Sequence, residues 1–76
     1  MYDMTVTNGV ATWRPRQPLT ADEVVQYAKD ALNMLERRVP DSLLDLELPA
    51  LLAEKGEYKR DVDGGVKISV WRAAQP

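Results

Sequence analysis

The sequence predicts a small α+β fold: a four-stranded antiparallel sheet built from two β-hairpins, with one long and one short helix on one face, in ββααββ order. Three observations carry this. Asn8-Gly9 near the start and Asp63-Gly64-Gly65 near the end each sit between alternating apolar and polar runs. Between them lies a long stretch with apolar residues at helical spacing. Two sheet elements with one apolar face each, and a helix with one apolar stripe, must bury those surfaces against one another.

In the first hairpin, Asn8-Gly9 is the favoured pair for a two-residue type I′ turn. That turn would set Val6 opposite Ala11 and Met4 opposite Trp13. Tyr2, Met4, Val6, Ala11 and Trp13 then share the core face, with Asp3, Thr5, Thr7, Val10, Thr12 and Arg14 on the other. Residues 14–19 hold Pro15 and Pro18, which block helix and interrupt sheet pairing.

The long helix has matching start signals: Thr20 as cap, Glu23 three residues on, and Leu19 with Val24 in staple positions. Val24, Val25, Ala28, Ala31, Leu32 and Leu35 form its apolar stripe, opposite Asp22, Gln26, Lys29, Asn33 and Arg37. Acids at its start and Arg37 and Arg38 at its end complement the helix dipole. Pro40 is expected to end it by excluding Val39 from the α region.

Residues 41–56 carry two conflicting patterns. Leu44, Leu48, Leu51 and Leu52 have helical spacing, whereas residues 44–48 alternate as in a strand. Pro49 suits a first helical turn. The expectation is an irregular or one-turn start, then a short helix over about residues 49–55 that stops at Gly56.

Register in the second hairpin follows from counting. A two-residue loop would mix its faces. A three-residue loop with Gly65 left-handed pairs Val62 with Val66, Arg60 with Ile68 and Tyr58 with Val70, and on the other face Asp61 with Lys67 and Lys59 with Ser69. Glu57 and Trp71 then fall on the polar side. The order of strands across the sheet is not encoded locally.

The 76 residues fit one domain spanning residues 1–76. Cysteine and histidine are both absent, which removes disulfides, thiolate ligands, the commonest metal ligand and the usual neutral-pH base. Neither a nucleophile–base set, a P-loop, a dinucleotide fingerprint nor a calcium loop is written in the chain. The carboxylates Asp41, Asp45 and Glu47 lack the burial that tunes a pKa, and Asp61 and Asp63 belong to a turn. No catalytic, cofactor or metal residue is therefore assigned, and the chain is expected not to be an enzyme. Residues 1–10 show no signal-peptide pattern and no apolar run reaches about 20 residues, so a cytoplasmic, non-membrane protein is expected.

What remains are surfaces. Trp71, beside Arg72, Lys59 and Lys67, is the candidate partner-binding set, since an exposed tryptophan with a charged rim is a typical hot spot. The expected function is a protein-binding module (an inhibitor, adaptor or accessory subunit) acting by steric occupation. Compact chains of this kind are common in phage and other mobile elements, where they block host enzymes or defence complexes. A nucleic-acid-binding module using the basic, aromatic C-terminal hairpin is the alternative. The net charge of −2 disfavours it, as do Glu57, Asp61 and Asp63 on the same hairpin. A ribbon-helix-helix dimer uses one strand where Asn8-Gly9 asks for two, and a winged helix needs a three-helix core that is missing. The leucine-dense segment 43–52 (Leu43, Leu44, Leu46, Leu48, Leu51, Leu52) offers a further surface, for a homodimer.

Overall fold

A computed structural model describes residues 1–36, 39, 42–62 and 65–73. Its sheet contains β1 (Tyr2–Thr7), β2 (Thr12–Trp13), β3 (Tyr58–Val62) and β4 (Val66–Arg72), all antiparallel, in the order β2-β1-β4-β3. Helix α1 (Ala21–Met34) and helix α2 (Leu48–Lys55), the latter preceded by a π-helical turn (Leu43–Glu47), lie on one face. The expected four-stranded α+β architecture and ββααββ order are what the chain adopts.

Between the layers, Met4 and Val6 of β1, Val66, Ile68 and Val70 of β4 and Tyr58 of β3 meet Val24, Ala28, Ala31 and Leu32 of α1 and Leu43, Leu44, Leu48 and Leu52. Met4, Leu48, Leu52 and Ile68 are among the largest side chains fully removed from water. Each such burial is worth about 1.5–3 kcal/mol. The central pair β1–β4 has the longest register, from Tyr2 opposite Arg72 to Thr7 opposite Lys67. This pairing joins the two chain ends and completes the core.

The second hairpin has the counted register, from Tyr58 opposite Val70 to Val62 opposite Val66, and Gly65 has φ +80°. Asp63 and Gly64 lie outside the described residues. The first hairpin departs from expectation. Thr7 pairs with Thr12 and Val6 with Trp13, leaving the four residues Asn8, Gly9, Val10 and Ala11 as the loop. Type I′ needs positive φ at both central residues, and here only Gly9 has it. The Asn8 side chain instead accepts from the backbone N–H groups of Val10 (2.9 Å) and Ala11 (2.8 Å). Thr7 Oγ1 accepts from Gly9 N–H at 3.1 Å and donates to the Ala11 carbonyl at 3.0 Å. These side chains build a wider loop and move Ala11 out of the core face. The shift is two residues, so Trp13 keeps the expected face and packs half-buried on the core.

Thr20 and Glu23 form the anticipated capping box: Thr20 Oγ1 accepts from Glu23 N–H, and the Glu23 carboxylate accepts from Thr20 N–H. The helix does not run to Pro40. It stops at Met34, with Leu35 as C-cap and Glu36 left-handed at φ +56°. The apolar stripe already ends at Leu35, and the Glu-Arg-Arg that follows would bury nothing against the sheet in a further turn. Arg37, Arg38, Pro40 and Asp41 lie outside the described residues.

The second helical segment has the expected one-turn start: residues 43–47 wind as a π-helical turn that passes directly into α2, which begins one residue before Pro49. Pro49 is the physical reason. It has no N–H to donate and its ring crowds the carbonyl four residues back, and a π turn relieves both by widening the coil. Leu48 N–H accordingly reaches back to the Leu43 carbonyl. Gly56 closes α2 left-handed at φ +74°, as the sequence indicates.

Candidate functional site

Both helices lie on one side of the sheet, so strand alternation hands the other side to polar residues. From the registers this outer face carries Asp3, Thr5 and Thr7 of β1, Lys67, Ser69 and Trp71 of β4, and Lys59 and Asp61 of β3. Thr5, Ser69 and Lys59 form one row across the strands. Thr7, Lys67 and Asp61 form the next.

Trp71 stands at one end of this face, half-buried and directly opposite Asp3. Arg14, just beyond β2, lies over its ring with the guanidinium carbon 5.9 Å from the centroid, the outer limit of a cation–π contact. The same guanidinium donates to both Asp3 carboxylate oxygens, through Nη2 to Oδ2 and through Nε to Oδ1 at 3.4 Å. Asp3 Oδ1 also accepts from Met4 N–H at 2.8 Å. The bond from Arg14, aided by the Met4 amide, holds the Asp3 carboxyl below its ordinary pKa against a smaller opposing effect of burial. Trp71, Arg14 and Asp3 therefore form one assembly.

Lys59 and Lys67 are exposed further along the face, where with Asp61 and Ser69 they border a shallow depression of about 360 Å³ between β3 and β4. Trp71 is outside that depression. Of the four residues singled out in the sequence, Trp71, Lys59 and Lys67 thus share a face and Arg72 does not. Arg72 projects to the helix side, where its guanidinium covers Gly56: a Cβ there would lie 2.5 Å from Arg72 Nε. Arg14 takes the place assigned to Arg72. Alternation already puts Asp3, Arg14 and Trp71 on the polar side, but only the β1–β4 pairing brings them together.

The leucine segment is largely consumed by the core. Leu43, Leu44, Leu48 and Leu52 are buried and Leu51 is half-buried, while Leu46 is 70% exposed. Two ion pairs flank this segment, Lys29 with Asp45 at 2.6 Å and Arg60 with Glu47 at 2.7 Å. Among the described residues, no three acidic side chains converge as a metal site would require, and no helix is long and apolar enough to cross a membrane. No family model, curated protein or solved structure matches this chain.

Proposed function

We propose that the chain is a non-enzymatic protein-binding module, an inhibitor, adaptor or accessory subunit, that covers a partner's surface with the open face of its sheet. One observation carries this reading: neither helix covers the outer face, and Trp71 stands partly exposed at one end of it against Arg14 and Asp3, with Lys59 and Lys67 further along. A large aromatic on a rigid strand loses little conformational freedom when it is covered, and charged neighbours supply the rim. Arg14 and Asp3 neutralise each other beside the ring, so an incoming surface meets little net charge there. Trp71 is the anchor, with Lys59 and Lys67 as peripheral contacts.

Affinity capture on the immobilised chain, run beside Trp71→Ala, tests this. The expected result is a protein retained by the parent and lost by the variant, with circular dichroism unchanged between them. Retention should fall only modestly between about 50 and 200 mM salt. Steep salt dependence with single-stranded oligonucleotides, accompanied by tryptophan quenching, would transfer the same face to phosphate binding.

A further inference from the structure

The sheet ends on the two-residue β2 at one side and on the five-residue β3 at the other, so only β3 offers an edge long enough to template a strand. On the outer side of β1, β2 pairs with Val6 and Thr7, and Leu19 then exchanges two 2.8 Å backbone hydrogen bonds with Tyr2. Pro15 and Pro18 in the intervening connector have no N–H to offer a further strand. At the other end β3 is the terminal strand, and no described segment pairs with its outer side. Its five residues are Tyr58, Lys59, Arg60, Asp61 and Val62.

Charged residues on an edge ordinarily oppose pairing, but here the two outer-face charges on either side of Arg60, Lys59 and Asp61, have opposite signs. We propose that β3 pairs antiparallel with β3 of a second copy of this chain, on a two-fold axis through Arg60, extending the sheet to eight strands. In that register Lys59 faces Asp61 of the second copy and Asp61 faces its Lys59, so two opposite-charge pairs form on the outer face. On the helix side Tyr58 faces Val62 in both directions. The two Arg60 side chains meet at the axis, each already compensated by its own Glu47 at 2.7 Å. Neighbouring registers fail. A shift of two residues one way sets Lys59 on Lys59 and pairs only residues 58–60 of the strand, and the other way sets Asp61 on Asp61 and pairs only residues 60–62. An odd shift opposes the polar face of one copy to the apolar face of the other. Only the central register pairs all five residues of β3 and sets no like charges opposite each other on the outer face.

Five paired residues make a small interface, so association belongs on the order of 10–100 µM. Sedimentation velocity of the full chain over a dilution series should show a monomer–dimer equilibrium, and amide exchange in β3 should slow as concentration rises. Lys59→Asp and Asp61→Lys should each weaken association at least about tenfold, since both replace two attractive pairs with repulsive ones. An equimolar mixture of the two should recover the dimer, because one strand is then acidic and the other basic at both outer-face positions. Trp71→Ala should leave self-association unchanged, which separates this surface from the proposed partner face. Asp61→Lys also loses an in-chain neighbour of Lys67, so the exchange measurement on the unmodified chain provides a test independent of its folding. A single species of monomer mass up to about 1 mM, β3 exchange independent of concentration, or a mixture that stays monomeric while both variants are folded would overturn the proposal.

Discussion

Tyr58→Phe should stabilise the protein. Tyr58 lies on the helix side of β3, opposite Val70, and is 2% exposed. Its hydroxyl is sealed from solvent and has no hydrogen-bond partner among the described residues. A buried, unpartnered hydroxyl forfeits about 1–3 kcal/mol of hydration. Phenylalanine keeps the ring and its packing while removing only that oxygen. The net gain should be about 1 kcal/mol, which in a domain of this size raises Tm by about 4–8 °C. The same site has a signature at alkaline pH. Burial, with a further push from the Glu47 carboxylate, raises the Tyr58 pKa above its ordinary 10.0. A raised pKa means that the unfolded chain releases this proton first, so native stability should begin to fall above about pH 10. The phenylalanine variant should lack that component. Thermal and urea melts of both proteins at neutral and alkaline pH measure the two effects. A loss of about 1 kcal/mol or more in the variant at pH 7 would refute the reasoning, because it would mean that the hydroxyl is satisfied.

Two further outcomes follow from the geometry. Gly56→Ala should cost about 1–2 kcal/mol in a urea melt, because φ +74° disfavours any Cβ. The cost should persist in an Arg72→Ala background, since the Arg72 guanidinium can swing aside; its disappearance there would assign the effect to the contact instead. Asp3, whose folded pKa is depressed mainly by Arg14, should contribute stability above its unfolded value near 3.8 that is lost as pH falls through the lower folded value. An NMR titration of its carboxyl carbon should show a midpoint below 3.8 that Arg14→Ala moves upward, and an unmoved midpoint would dismiss the pair.

Elements settled by neighbouring residues were legible in the sequence, and elements settled by the rest of the fold were not. Thr20 and Glu23 announce the start of α1 because both halves of a capping box lie within four positions. The second hairpin could be counted because one loop length sorts Val62, Val66, Ile68 and Val70 onto one face and the alternatives do not. The end of α1 is not legible because Pro40 marks only the last place a helix could stop, whereas the chain turns out of the helix after Met34, through Leu35 and a left-handed Glu36. In the leucine segment, strand-like alternation and helical spacing competed. The π turn that accommodates Pro49 has a period that neither pattern describes.

The site divides in the same way, and the division explains which errors matter. Side-chain direction in a strand depends on parity, so the two-residue misregistration of the first hairpin left every strand residue on its proper face. An outward Trp71 was therefore secure against that mistake. Its neighbours were not, because adjacency across strands depends on sheet order, and the β1–β4 pairing joins residues about seventy positions apart. Arg72 follows Trp71 in sequence and for that reason points away from it, whereas Arg14 is distant in sequence and reaches its ring. Any surface assembled from sequence neighbours along a strand will make this substitution, taking the residue beside the anchor for its companion on the face. The correction bears on function as well. With Arg72 the anchor would have had an unpaired cation at its side, suited to phosphate. With Arg14 held by Asp3 it has a neutralised pair, and that favours a protein surface over a nucleic-acid backbone.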